Sequence, residues 1–278
     1  MSFLVPAPTY FLTVGSIFGS IVAVGWFIVG LYIYIALIRQ ISVRTASVDE
    51  PKAKAFGIPE ALVATFLMSL LVLNLIKGSP AAPMELSTQD LISNLVLTAI
   101  VVLILIAFLV FRGFNIDAAA GLSKHGILRA TALGAILLLM AYPLVGLADT
   151  IMQHFLGHGT TRQNIVELFS GSRTMQQRIM IIVLAVAVAP AAEELVFRFF
   201  LYGVLRRYFG IPVGLLINAL LFAAVHQHLP SFAPLFVLGS CFTLAYEWSG
   251  SILVPMTMHS LFNAVNLVLL AFPSLFDQ

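Results

Sequence analysis

Eight runs of mostly apolar residues dominate the chain: 11–38, 61–76, 91–111, 127–148, 179–208, 211–228, 232–248 and 252–272. A bilayer-crossing helix needs about 20 such residues, with a usual range of about 17–25. Most of the runs fall near that range, and they are continuous rather than alternating. That pattern argues against β-barrel strands, which need only about 9–11 alternating residues. Composition supports the same reading. Hydrophobic residues make up 60% of the 278, charged residues only 9%, and mean hydropathy is +1.04. A soluble fold of this size could not cover so much apolar surface. The expected fold is all-α: a polytopic membrane protein of eight transmembrane helices in a single membrane domain, 1–278. A net charge of +2 offers no case for nucleic acid or another polyanion. The lone Cys241 excludes an intramolecular disulfide and a cysteine-based zinc site. The first run is too long for the apolar part of a cleaved signal peptide, and no basic residue precedes it.

Loop cations set the expected orientation. Arg39, Arg44, Lys52, Lys54, Arg112, Lys124, Arg129, Arg206 and Arg207 fall on one side if every run crosses. Lys77, Arg162, Arg173 and Arg178 fall on the other. The first side is expected to be cytoplasmic, with both termini outside. The polar stretch 149–178 holds three of the opposing charges and has room for an amphipathic helix on the membrane surface. Gly15 and Gly19 form a GxxxG pair, which serves either oligomerisation or close packing within one chain.

In such a chain the informative residues are the ionisable ones inside the runs, each of which is costly to insert. They concentrate in the last four: Glu193, Glu194 and Arg198, then His226 and His228, then Glu247, then His259 with Asn263; Asn218 and Asn266 add polar atoms. Glu194 and Arg198 are four apart, so a helix puts them on one face, where they can pair. Glu193 is rotated about 100° from Glu194 and lacks that partner. A carboxylate left free at depth suits a general base. His259 and Asn263 also share a face.

Depth agrees. At about 1.5 Å per residue, Glu193 lies roughly 21 Å from Arg207, His226 roughly 23 Å from Ile211, Asn263 roughly 16 Å and His259 roughly 10 Å from Ile252. These residues can therefore meet in one layer. Each could instead be polar glue between helices, but as a set they point to a functional site. Glu247 beside Trp248, and His228 near Pro230, read as interfacial residues. His154 and His158 have the spacing of a zinc pair, but no Glu lies between them and Gly157 and Gly159 flank the second. Ser260 has no GxSxG context.

The ordered set Glu193-Glu194-x-x-x-Arg198, Phe222-x-x-x-His226 and His259-x-x-x-Asn263 resembles the CPBP family of intramembrane proteases. These are the CAAX-processing and bacteriocin-processing (Abi) proteins, which include the Ras-converting CAAX endoprotease. The resemblance covers about 178–272 and says nothing of the first four runs. It implies a peptidase whose catalytic residues are Glu193, His226, His259 and Asn263. Glu193 would activate water held also by His226, His259 and Asn263 would polarise the scissile carbonyl, and Glu194 with Arg198 would be a structural pair. The family is often described as metalloproteases, so zinc held by Glu193, His226 and His259 is an alternative. That set would leave only Glu194, committed to Arg198, as a base, so no cofactor is favoured. The implied partners are a peptide or protein substrate, lipidated where the CAAX chemistry applies, and membrane lipids, with no nucleic acid. A bacterial inner membrane is the expected location. A non-catalytic immunity or scaffold protein of the same fold stays open. So does a proton-coupled transporter, against which stands the lack of paired inverted segments.

Overall fold

The computed structural model describes residues 17–47, 55–77, 88–156 and 174–271. Among these residues there are helices and no strand. The helices are α1 (Ile17–Ser47), α2 (Ile58–Lys77), α3 (Thr88–Phe111), the short α4 (Ile116–Ala120), α5 (Ile127–Leu156), α6 (Met175–Val225), α7 (Phe232–Ser249) and α8 (Leu253–Ala271). Six of them are long and apolar enough to cross a membrane. Expectation and structure differ in two places. The fifth and sixth expected spans form the single helical segment α6, and the apolar part of α8 is shorter than the others. The loop with Lys52 and Lys54, the start of the first run, Gly15, His158, Arg162 and Arg173 lie outside the described residues.

The segment α6 is not straight. Gly210 has φ 78° and ψ 173°, a region open essentially to glycine alone. Phe197 and Phe222 would lie about 37 Å apart on one straight helix, yet their ring centroids are 5.5 Å apart. The chain therefore doubles back at Gly210. Arm 175–209 packs against arm 211–225.

In an apolar surrounding a backbone carbonyl that loses its helical donor needs another one. Pro143 lies inside α5 and has no N–H for the carbonyl of Leu139 four residues back. Trp26 of α1 supplies the missing donor, its Nε1–H reaching Leu139 O at 3.0 Å. Tyr34 of α1 also donates to Leu137 O, at 2.9 Å.

One end of the bundle collects the basic residues. Arg44 donates to Trp248 O at 2.8 Å, His125 Nε2 lies 3.2 Å from Ser249 O, and Trp248 Nε1 donates to Gln40 at 2.7 Å. Arg206 pairs with Glu247 at 2.8 Å. Glu247 is thus not a simple interfacial residue. Its side chain is buried and also accepts from the Tyr202 hydroxyl at 2.9 Å. The sequence reading also passed over Glu60, which is buried at the start of α2. It accepts from Arg112 Nε at 2.8 Å and from the Gly57 N–H at 2.7 Å.

Candidate active site

The first arm of α6 carries the two neighbouring carboxylates on a short α-helical stretch, Ala189–Glu194, flanked by two π-helical turns, Leu184–Val188 and Leu195–Leu201. Such turns insert a residue into the helix, shift the faces that follow and gather at functional sites. The first has a visible cause. Ala189 N–H bonds five residues back to Leu184 O. The next donor in that register would be the N–H of Pro190, which does not exist. The carbonyl it would have reached belongs to Ala185, and Asn263 of α8 supplies the donor instead, Nδ2 to Ala185 O at 2.8 Å.

Glu194 is fully buried. Its Oε1 accepts from Arg198 Nη1 at 3.1 Å, so the four-residue pair forms even though Arg198 lies within the second π turn. Arg198 is equally buried, donates through Nη2 to Gly239 O of α7 at 3.2 Å, and sits 4.2 Å from the centre of the Phe222 ring. That is a cation–π contact in a water-poor site, where such contacts are strongest. Gly239 is needed there: a Cβ would lie 2.9 Å from Phe222 Cδ1. The Thr243 hydroxyl also donates to Gly239 O, at 2.8 Å, and accepts from buried Asn218 at 3.1 Å.

The same Oε1 of Glu194 accepts from Nδ1 of His259 at 2.9 Å. Residues 194 and 259 are 65 apart, and no spacing rule joins them. The other nitrogen of His259, Nε2, lies 3.9 Å from Glu193 Oε2. One imidazole thus stands between two adjacent carboxylates. Glu193 is the more open of them, with a third of its side chain exposed, and its Oε2 is buried without a hydrogen-bond partner among the described residues. The His259 ring stacks on Phe242, centroids 5.1 Å apart, and meets the edge of Phe222 at 5.7 Å.

His226 caps the second arm of α6. Its Nδ1 is 2.7 Å from Phe222 O, a carbonyl that can only accept, so Nδ1 carries the hydrogen. Its ring lies 4.9 Å from Phe222. Phe222, which the motif included without a role, is therefore a hub: His226, His259 and Arg198 all rest on one ring. The structure brings Glu193, Glu194, Arg198 and His259 into direct company, adds His226 through Phe222, and places Asn263 one turn along α8 from His259. His228 is apart, bonded to Ser231 Oγ at 2.7 Å. His154 is exposed at the end of α5.

A shared metal ion would need at least three donors on one point. Among the described residues no three His, Cys, Asp or Glu side chains are so grouped. As placed, Glu193, His226 and His259 do not fit a common ion.

Together the bundle and this cluster define a multi-pass integral membrane protein with a buried carboxylate–imidazole centre. Residues 175–265, which hold all of the cluster, match the family described as type II CAAX prenyl endopeptidase Rce1-like. The match takes in about a third of the chain. Over 78 residues it is 38% identical to uncharacterized protein YpbD of Bacillus subtilis (strain 168). That alignment takes in 27% of this chain and 37% of the relative's length. No solved structure matches the chain.

Proposed function

We propose that this protein is an intramembrane endopeptidase that hydrolyses a peptide bond with water activated by Glu193. The observation that carries the reading is the pairing pattern of the two carboxylates. Glu194 is neutralised by Arg198, while Glu193 has no ion-pair partner in hydrogen-bonding range and stands partly open beside His259 in a site walled by aromatic rings. Glu193 takes a proton from water as the water oxygen bonds to the scissile carbonyl carbon. His226, whose hydrogen is committed to Phe222 O, keeps Nε2 as an acceptor for the same water. Asn263 spends one amide hydrogen on Ala185 O and keeps the other for the developing oxyanion. As the tetrahedral intermediate collapses, the C–N bond breaks and the amine leaves with the proton that Glu193 had taken. Fixed dipoles in a site with little water are usually a large part of such catalysis.

The reading is metal-free. With Glu194 given to Arg198 and His259, a zinc held by Glu193 would leave no carboxylate to act as base. Turnover should therefore survive exhaustive chelation. One zinc per chain, lost together with activity and restored by adding zinc, would reverse this assignment.

The family description suggests a prenylated substrate, and a cysteine lipidated near a C-terminus can anchor a peptide at the membrane. The protein in proteoliposomes is to be given a farnesylated Cys-a-a-X peptide and its unprenylated counterpart, with products read by mass spectrometry. Cleavage by the wild type that is absent in Glu193→Gln supports the proposal. Equal behaviour of the two proteins on both peptides would refute it.

We further propose eight crossings, counting the two arms of α6 separately and including α8. The basic end of the bundle would face the cytoplasm of a bacterial cell, with both termini outside.

A further inference from the structure

We infer that Pro190 is a positioning residue for Asn263. By withholding a backbone donor from Ala185 O, it draws the Asn263 amide to that carbonyl and so fixes the second amide hydrogen, the one left for the oxyanion. This rests on the endopeptidase reading and extends it to a residue outside the three motifs.

The inference starts from a carbonyl that its own helix leaves without a donor. In an α-helical register Ala185 O would accept from the Ala189 N–H, but that N–H goes to Leu184 O. In the π register the donor would come from position 190, where proline has none. Ala185 is buried, and a carbonyl without a donor is costly where water is scarce. Asn263 Nδ2 meets it at 2.8 Å, from another helix and across 78 positions.

The same bond decides how the amide lies. A carbonyl oxygen can only accept, so the nitrogen of the Asn263 side chain, and not Oδ1, faces Ala185 O. With one N–H committed there, the planar amide sets the direction of the other. Carbonyls of a helix point toward its C-terminal end, so Ala185 O is directed along the arm toward Glu193. Proline inside a helix is destabilising in its own right. Stability of the arm would be served better by alanine, which stands at 189, 191 and 192. At 190 the proline instead opens a carbonyl that a residue of the site fills.

The test restores the missing donor. In Pro190→Ala the N–H of position 190, or that of Ala189 if the turn relaxes to the α register, bonds to Ala185 O, and the Asn263 amide is released. The variant should unfold in detergent at a Tm no lower than the wild type. On the farnesylated Cys-a-a-X peptide its kcat should nevertheless fall about 10- to 100-fold with KM unchanged, as expected of a group misplaced rather than removed. A proline that only shaped the helix would alter Tm and leave kcat as it was. Asn263→Ala, made in both backgrounds, reads the coupling without turnover. With Pro190 present it strips Ala185 O of its donor, and Tm should drop. With Pro190→Ala the drop should be at most half as large, since contacting groups are not additive. An Asn263→Ala protein too unstable to purify, but recovered by adding Pro190→Ala, would support the inference equally. Wild-type kcat in Pro190→Ala, or equal losses of Tm in the two backgrounds, would overturn it. The site reading fails separately, if Glu193→Gln retains turnover.

Discussion

At the scale of single residues, two neighbouring glutamates have opposite surroundings, and their substitutions should separate cleanly. Glu193→Gln keeps the size and shape of a partly exposed side chain that has no ion-pair partner in hydrogen-bonding range. It should abolish turnover and leave expression and thermal unfolding unchanged. Glu194→Gln leaves the guanidinium of Arg198 fully buried without its counter-charge. Breaking a buried pair by removing one charge costs about 3–5 kcal/mol, so yield and Tm in detergent should both fall. A stable, well-expressed Glu194→Gln would contradict that account. The sequence made this contrast visible through the helical period, because 194 and 198 share a face and 193 does not. It could not show that both carboxylates meet His259, or that three site residues rest on Phe222. Those contacts join different helices, and one chain has no local pattern that reports them. The partners of Glu247 were hidden for the same reason. Its partners, Tyr202 and Arg206, lie on the first arm of α6, more than 40 positions away.

At the scale of helices, hydropathy alone marked where nearly every described element lies, because apolar length is a strong signal. Missing were the features made by backbone hydrogen bonding: the two π turns beside Glu193 and Glu194, and the short α4, which is too small and polar to register as a span. Pro190 was a legible cause of the first π turn, but its consequence, the demand of Ala185 O for a donor, needed α8 beside it. The hairpin between the arms of α6 gives a prediction specific to the backbone. A Cβ on Gly210 would meet nothing within 4 Å, so steric crowding does not require glycine there. The requirement is the left-handed φ of 78°. Gly210→Ala should therefore destabilise by about 1–3 kcal/mol, the usual cost of forcing such a conformation, and Gly210→Asn should lose as much, because a ψ of 173° lies outside the left-handed helical region that asparagine tolerates. Thermal unfolding of the purified variants checks this. An alanine variant as stable as the wild type would mean that the hairpin tolerates another backbone path. Gly203 poses the opposite case, since a Cβ there would run into the Phe56 ring. That ring packs on Phe114, Phe199 and Phe200 and ties the start of α2 to the first arm.

At the scale of the whole molecule, the cluster is placed by the order in which the helices run. The basic end gathers Arg44 of α1, Arg112 after α3, Lys124 and His125 before α5, and Arg206 near the hairpin of α6. Arg44, Arg112, His125 and Arg206 are held by Trp248 O, Glu60, Ser249 O and Glu247, and the Lys124 side chain packs against Gly250. Glu193 sits thirteen positions from Arg206, about 20 Å along a helix. Charge and geometry thus agree on which ends lie together. The consequence is a topology that can be measured. In a Cys241→Ala background, single cysteines at positions 52 and 207 should react with a membrane-impermeant maleimide from the same side of sealed vesicles. A cysteine at 77, at the far end of α2, should react only from the other side. Lys52 lies in the connection from α1 to α2. The residues that bracket it, Arg44 and Phe56, are both anchored to the basic end, through Trp248 O and Gly203. If the reagent reached positions 52 and 207 from opposite sides, α6 could not pass up and back beside α2 and α7. Glu193 and His226 would then lose the common layer on which the proposed chemistry depends.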